Sequence, residues 1–260
     1  MNTPIITERT QTPTAIITGG GGEIGLAIAQ TLLEQRWAVV LAGRTLETLK
    51  SSAEKLAAYS ANILCVTADV SAPQQAEKLI NRTVAWRGRI DALVNNAGYA
   101  TMVPLAQTTN EQWQQTLHIN LSGAFYTLRA AWPVFERQFS AAQANTVKDA
   151  KSPRGGVVVN ISSEASRDPF PGLGAYGVAK AGLNLLTRVV AREGASIGLR
   201  ALAIAPAAVE TPMFRSLPVA TNVPASAILA PESVARAVKA AIDGDIWCAS
   251  GETIFIHANI

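Results

Sequence analysis

Histidine and cysteine are nearly missing from this 260-residue chain, which holds only His118 and His257, Cys65 and Cys248. Neither histidine stands in an H-x-x-x-H spacing, so no metal site is expected and no metal ligand is assigned. A zinc-hydrolase kit and a histidine-based triad are both poorly supplied. The two distant cysteines permit one disulfide, but two buried thiols in a reducing cytosol is the expected state. Charge is also thin, at 16% Asp, Glu, Lys and Arg. The net +3 is scattered, with no basic run, so neither nucleic acid nor a membrane surface is an expected partner. No uncharged apolar stretch reaches the ~18 residues of a membrane span, and no charged segment precedes an apolar one at the start. The expectation is a soluble, unexported, cytoplasmic protein.

Apolar residues make up 48% of the chain, ample for a large core and incompatible with disorder. Residues 1–13 are polar, Thr-rich and carry Pro4 and Pro13, which reads as a frayed tail; residues 14–260 read as one domain. Strand-like runs fall at Ala15–Thr18, Ala38–Ala42, Ile63–Thr67, Ala92–Asn95, Val157–Ile161, Ala201–Ala205 and Thr253–Ile256. The first five are almost wholly apolar, as strands covered on both faces must be. Between them lie segments of helical period, including Ile24–Gln35, Leu46–Tyr59 and Gln74–Trp86. Such alternation implies right-handed crossovers and a parallel, doubly wound α/β sheet. Polar Ser140–Gly156, with Pro153 and paired glycines, reads as a surface insertion.

The first strand runs through Thr18-Gly19-Gly20-Gly21-Gly22-Glu23-Ile24-Gly25 into a helix. Glycines there allow φ > 0 and close backbone approach to a pyrophosphate, and the helix start offers free N–H donors. The four consecutive glycines fit several dinucleotide-loop templates at once, so Gly19, Gly22 and Gly25 do not choose among them. Glu23 sits where a glycine is usual. Its repulsion of a phosphate at about 7 Å in water is only ~0.6 kcal/mol, which weakens binding without abolishing it. After the second strand, Gly43 cannot hold a ribose 2′-OH as an acidic residue would, whereas Arg44, followed by Thr45, offers a fork for a 2′-phosphate. NADP(H) is therefore expected over NAD(H); the alternative is a solvated surface arginine.

Tyr176 and Lys180 stand four apart at the opening of a helical segment, which puts them on one face. Background composition gives roughly 0.1 such pairs by chance. Ser163 follows the fifth strand and Asn95-Asn96-Ala97-Gly98 closes the fourth, both at strand ends where open α/β sheets bind ligands.

Together these motifs resemble the short-chain dehydrogenase/reductase family in its compact form of about 250 residues. The resemblance runs from Thr14 to about Ile256 and takes in the Thr18–Gly25 loop, Asp69-Val70, Asn95–Gly98, Asn120, Ser163, Tyr176-x-x-x-Lys180, Pro206 and Thr211-Pro212. It implies a single Rossmann-type domain with a seven-stranded parallel sheet. The implied reaction interconverts a carbonyl and a secondary alcohol. Tyr176 would be the general acid/base, Ser163 the donor to the substrate oxygen, Lys180 the cation that lowers the phenol pKa and binds the ribose, and Asn120 the holder of a relay water. The resemblance further implies cofactor contacts from Glu23 and Ile24 at the helix start, from Asp69 and Val70 on the adenine, and from Asn96, Ala97 and Gly98 beneath the cofactor. Pro206, Val209 and Thr211 would hold its carboxamide end. Ala207 and the terminal His257-Ala258-Asn259-Ile260 depart from the family's usual glycines. Relatives pair helices equivalent to Leu121–Phe135 and Leu183–Ala195, which implies a homotetramer or homodimer. The uncharged stretch Ser216–Pro231 corresponds to a substrate lid and favours an uncharged substrate, with Glu164, Phe170, Tyr99 and Met213 as candidate lining. Two competing readings are a dinucleotide-binding sensor or scaffold without turnover, and an epimerase or dehydratase with no net cofactor change.

Overall fold

The structure, a computed structural model, describes residues 12–144, 155–246 and 249–258. Most of the expected tail, the middle of the expected insertion and Cys248 lie outside the described residues. Seven strands form one parallel sheet: β1 (Thr14–Thr18), β2 (Ala38–Gly43), β3 (Ile63–Thr67), β4 (Ala92–Asn95), β5 (Gly156–Ile161), β6 (Leu199–Pro206) and β7 (Thr253–Ile256). Their order is β3-β2-β1-β4-β5-β6-β7, so the winding reverses between β1 and β4. That reversal opens a crevice at the strands' carboxyl ends.

Side chains alternate across this sheet with period two. Ile17, Leu41, Val94 and Val159 face one layer, built from α1 (Glu23–Glu34), α2 (Leu46–Lys55) and α8 (Pro231–Asp243). Ile16, Val40, Leu93 and Val158 face the other, where α3 (Pro73–Arg87), α5 (Gly123–Ala144) and α6 (Gly174–Glu193) supply Leu79, Phe135 and Val190. Burial on both faces explains why the central strands read as unbroken apolar runs. Two shorter helices, α4 (Asn110–Leu117) and α7 (Pro212–Arg215), lie in the connections after β4 and β6.

Several boundaries differ from the sequence reading. The helix expected through Tyr59 ends at Lys55, and Ala57–Asn62 continues as tighter turns with Tyr59 outside helical geometry. Residues 140–144, expected to open the insertion, complete α5 instead, and Gly156 already belongs to β5. Among the described residues no helix is long and apolar enough to cross a membrane, and no acidic, histidine and cysteine side chains gather as a metal site would require.

Candidate active site

The glycine loop is locked in place by the motif that follows β4. Thr18 Oγ1 accepts from the backbone N–H groups of Asn96 and Ala97, both at 3.0 Å. Asn96 Nδ2 donates to the carbonyls of Thr18 at 3.0 Å and Gly19 at 3.2 Å. Gly19 has φ +65°, the left-handed region where a side chain is strained, and a Cβ there would lie 2.9 Å from Asn96 Nδ2. At Gly25 a Cβ would come within 2.5 Å of the Gly19 carbonyl, so only glycine lets α1 close onto the loop. Gly22 caps α1 without a side-chain hydrogen bond, leaving the first-turn N–H groups unmet by any side chain. A cradle of small residues under an uncapped helix start, at the sheet's switch point, fits a dinucleotide pyrophosphate. Glu23 is exposed, at the position where its charge complements the helix dipole; Ile24 follows it, partly buried.

At the other end of the crevice, Arg44 and Thr45 are exposed where β2 leads into α2. Arg44 shares a cavity of about 310 Å³ with Asp69, Ser71, Glu111, Gln114 and His118. The Asp69 carboxylate is already engaged, accepting from the Ser71 N–H at 2.9 Å and the Ser71 hydroxyl at 2.7 Å. Val70 is buried and packs so tightly on the start of α5 that a Cβ at Gly123 would touch its Cγ2 at 2.9 Å.

The catalytic candidates converge between these regions. Tyr176 and Lys180 lie one turn apart on α6, with Lys180 Nζ 5.5 Å from the centre of the Tyr176 ring. Lys180 is buried, and burial lowers its pKa to about 8. Its Nζ donates to the Ile161 carbonyl at 2.7 Å, which anchors the ammonium to the end of β5. Burial pushes the Tyr176 phenol above its ordinary pKa, while a hydrogen bond with Ser163 works in the opposite direction. Ser163 Oγ also accepts from the Ala165 N–H at 3.2 Å, so the hydroxyl proton is left to point elsewhere. A Cβ on Gly98 would lie 3.3 Å from Asn120 Oδ1 and 3.9 Å from Lys180 Nζ, which places those two side chains around the same glycine.

Asn120 sits within a widened turn, His118–Ser122, between α4 and α5. Its Nδ2 donates to the Tyr99 carbonyl at 2.7 Å and the Thr116 carbonyl at 2.9 Å, and its Oδ1 accepts from the Tyr99 N–H at 3.2 Å. Both amide donors are therefore occupied, leaving one oxygen lone pair and the backbone to meet a water.

Pro206, the last residue of β6, and Val209 beyond it are buried, and Thr211 both donates to the Val209 carbonyl at 3.3 Å and caps α7 by accepting from the Phe214 N–H at 3.1 Å. Ala207 N–H meets the Ile256 carbonyl at 3.0 Å, so the departure from glycine leaves this strand pairing intact. Within the uncharged stretch, Val219 and Leu229 are buried, and Leu229 exchanges backbone hydrogen bonds with Ala208 and Glu210. Among the candidate lining residues, Phe170 and Met213 are exposed, whereas Glu164 is turned toward Arg167 and His257.

One feature escaped the sequence reading. A buried polar chain runs over β4 and β5 on one face of the sheet: Thr127 Oγ1 donates to Asn95 Oδ1 at 2.7 Å, Asn95 Nδ2 to Asn160 Oδ1 at 2.9 Å, and Asn160 Nδ2 to Thr187 Oγ1 at 2.8 Å. It ties α5 and α6 through β4 and β5, behind the strand ends that carry the site. Asparagine in two otherwise apolar strands was the available signal.

A doubly wound parallel sheet with a phosphate cradle at its switch point, and a tyrosine–lysine pair at the neighbouring strand ends, defines a dinucleotide-binding oxidoreductase. Residues 13–221 match the family model described as short chain dehydrogenase, and the chain belongs to that family. It is 33% identical, over 89% of this chain and 90% of the other, to a protein of Streptomyces violaceoruber provisionally named ketoacyl reductase 2 of the granaticin polyketide synthase. It is 30% identical, over 95% of this chain and 93% of the other, to 3beta-hydroxysteroid dehydrogenase 1 of Eggerthella lenta. Among solved structures, the 3-ketoacyl-(acyl-carrier-protein) reductase of Brucella melitensis, complexed with NADH, shares the fold at a TM-score of 0.84 and 23% identity, covering 94% of this chain and 96% of that one.

Proposed function

We propose that this chain is an NADP(H)-dependent reductase that interconverts a carbonyl and a secondary alcohol, with Tyr176 as general acid in the reductive direction. The observation that carries this reading is the approach of the Lys180 ammonium to the Tyr176 ring at 5.5 Å, beside Ser163 and at the mouth of the crevice. A bound nicotinamide cofactor would supply the hydride. Ser163 donates a hydrogen bond to the substrate oxygen and shares the charge that develops there. Tyr176 gives that oxygen its proton; its raised pKa keeps the phenol protonated at neutral pH, as reduction requires. Lys180 favours the phenolate left behind, and with Ile161 occupying one of its three donors, two remain for a ribose hydroxyl and the Tyr176 side. Asn120 holds the relay water with its free oxygen lone pair or its backbone.

In the same reading the loop Gly19–Gly25, including Glu23 and Ile24, takes the pyrophosphate, and Arg44 with Thr45 takes the 2′-phosphate. Asp69 and Val70 meet the adenine, Asn96, Ala97 and Gly98 lie under the cofactor, and Pro206, Val209 and Thr211 hold the carboxamide end. Arg44 makes no side-chain hydrogen bond to a described residue, which supports its availability to a phosphate. The substrate is uncharged and largely apolar: Leu105, Phe170 and Met213 are exposed on the connections after β4, β5 and β6, and one relative is named for a hydroxysteroid. Residues 14–260 act as one cytoplasmic domain behind the tail of 1–13. Exposed Phe125 on α5, with Val178, Leu185 and Val189 on α6, supports a homodimer or homotetramer through these helices. The direct test is NADPH consumption with a panel of ketones, steroids and quinones. Cofactor binding with no turnover on any of them would overturn the enzyme reading.

A further inference from the structure

The turn that follows Ser163 is tied to the last strand by two side chains at once. Glu164 Oε1 accepts from Arg167 Nε at 3.1 Å and Arg167 Nη2 at 2.7 Å, while its Oε2 lies 3.0 Å from His257 Nε2. The Arg167 guanidinium in turn lies 4.0 Å from the centre of the Phe255 ring. Residues 163–168 therefore reach the end of β7 through Glu164 to His257 and through Arg167 to Phe255. The turn itself is stiff. Ser166 N–H and Oγ both donate to the Ser163 carbonyl, at 3.0 and 2.7 Å, and Arg167 and Asp168 N–H groups both donate to the Glu164 carbonyl. Glu164 is the more covered partner, with a side chain 23% exposed. A lone surface ion pair holds little. Here one carboxylate is held by the Arg167 guanidinium and the His257 ring at once, and the guanidinium is stacked on an aromatic ring, so geometry is fixed at several points. The strand it grips also carries the Ile256 carbonyl that holds Ala207, just past Pro206.

We propose that Glu164 is a positioning residue for Ser163: the Arg167–Glu164–His257 clasp fixes the turn that aims the Ser163 hydroxyl, relative to the strand ends under the carboxamide site. This rests on the role assigned to Ser163 under Proposed function. With its carboxylate engaged by Arg167 and His257, Glu164 acts through the backbone of the turn. Loosening the clasp lets the hydroxyl drift from the substrate oxygen, and small displacements of an aligned group cost rate more than binding.

The test uses the full chain with NADPH and a ketone that the wild type turns over. For Glu164→Ala, kcat falls about tenfold with KM for NADPH changed less than about twofold. Glu164→Gln, which keeps an acceptor for Arg167, recovers most of the rate, and His257→Ala, which removes one grip, gives an intermediate loss. Amide hydrogen exchange over residues 163–168 quickens in Glu164→Ala and not in Glu164→Gln. An active wild type whose Glu164→Ala and His257→Ala variants keep kcat within about twofold overturns the clasp and leaves the reductase reading standing. So does a Glu164→Ala loss that Glu164→Gln fails to recover. A wild type without turnover on any carbonyl overturns the reductase reading itself, and the assigned role of Glu164 with it.

Discussion

Lys180 reaches out of α6 to the carbonyl of Ile161 at the end of β5, a 2.7 Å hydrogen bond made by a buried ammonium. The contact fixes where the positive charge sits: at the last residue of β5, two positions before Ser163 and one helical turn from Tyr176. A strand end and a helix face thus meet at a single cation. Burying it is unfavourable for folding, and the same burial lowers its pKa from an ordinary 10.5 to about 8.

That cost gives a first prediction, on stability. Below about pH 8 the folded and unfolded chains both carry the Lys180 proton, and the penalty is fully present. Between about 8 and 10.5 the unfolded chain holds more protons, so stability rises with pH as the penalty is relieved. Lys180→Met should therefore stabilise the fold at pH 7 by about 1–3 kcal/mol, less the lost bond to Ile161, while removing activity. Its advantage should shrink by pH 9.5. Thermal melts at the two pH values check this; a larger advantage at the higher pH would contradict it.

A second prediction concerns the cofactor. Arg44→Ala should raise KM for NADPH about 10- to 100-fold, the worth of a charge-assisted contact, and leave KM for NADH within about twofold. Steady-state kinetics with both cofactors decides the matter. Equal losses with NADPH and NADH, or none, would remove Arg44 as the selecting residue.

The third turns on the tie between Asn96 and the glycine loop. Asn96→Ala leaves the carbonyls of Thr18 and Gly19 without their side-chain donor. The fold should lose about 1–3 kcal/mol, and NADPH should bind about tenfold more weakly as the loop relaxes. Melting and fluorescence titration are the readouts; an unchanged NADPH Kd would show that the loop holds its shape without Asn96.

A fourth addresses assembly. Wild type should sediment as a dimer or tetramer of the 27.3 kDa chain, and Leu185→Glu, at an exposed apolar position on α6, should shift it toward the monomer. Wild type running only at 27.3 kDa at micromolar concentration would contradict this assembly.

The sheet was legible in the sequence because burial on both faces leaves unbroken apolar runs: β1, β2, β4 and β5 are almost wholly buried, whereas β3, at the sheet edge, is only partly so. Tyr176 and Lys180 were legible because four residues is one helical turn. Ser163 was marked by its place at a strand end, but its role, and Asn120 altogether, needed the resemblance to a known family, since a single polar residue has no spacing to betray it. The end of α2 was missed because Ala57-Ala58-Tyr59-Ser60 carries neither glycine nor proline, and the reach of α5 because Ala141, Ala142 and Ala144 favour helix despite the polar segment that follows. Contacts across the sheet stayed hidden for a different reason. Asn95 and Asn160 are 65 residues apart, and Glu164 and His257 are 93 apart; nothing local in either segment announces a partner that only the strand order supplies.

In the proposed reaction the Tyr176 phenol delivers the proton while the rest of the site holds the reactants. The most direct measurement of that role pairs turnover with cofactor binding in Tyr176→Phe, a change that removes one hydroxyl and leaves the ring beside Lys180. If the phenol is that donor, kcat falls about 10²–10⁴-fold with NADPH Kd within about threefold of wild type. A variant that keeps turning over carbonyl substrate within about tenfold of wild type, with binding intact, would contradict it.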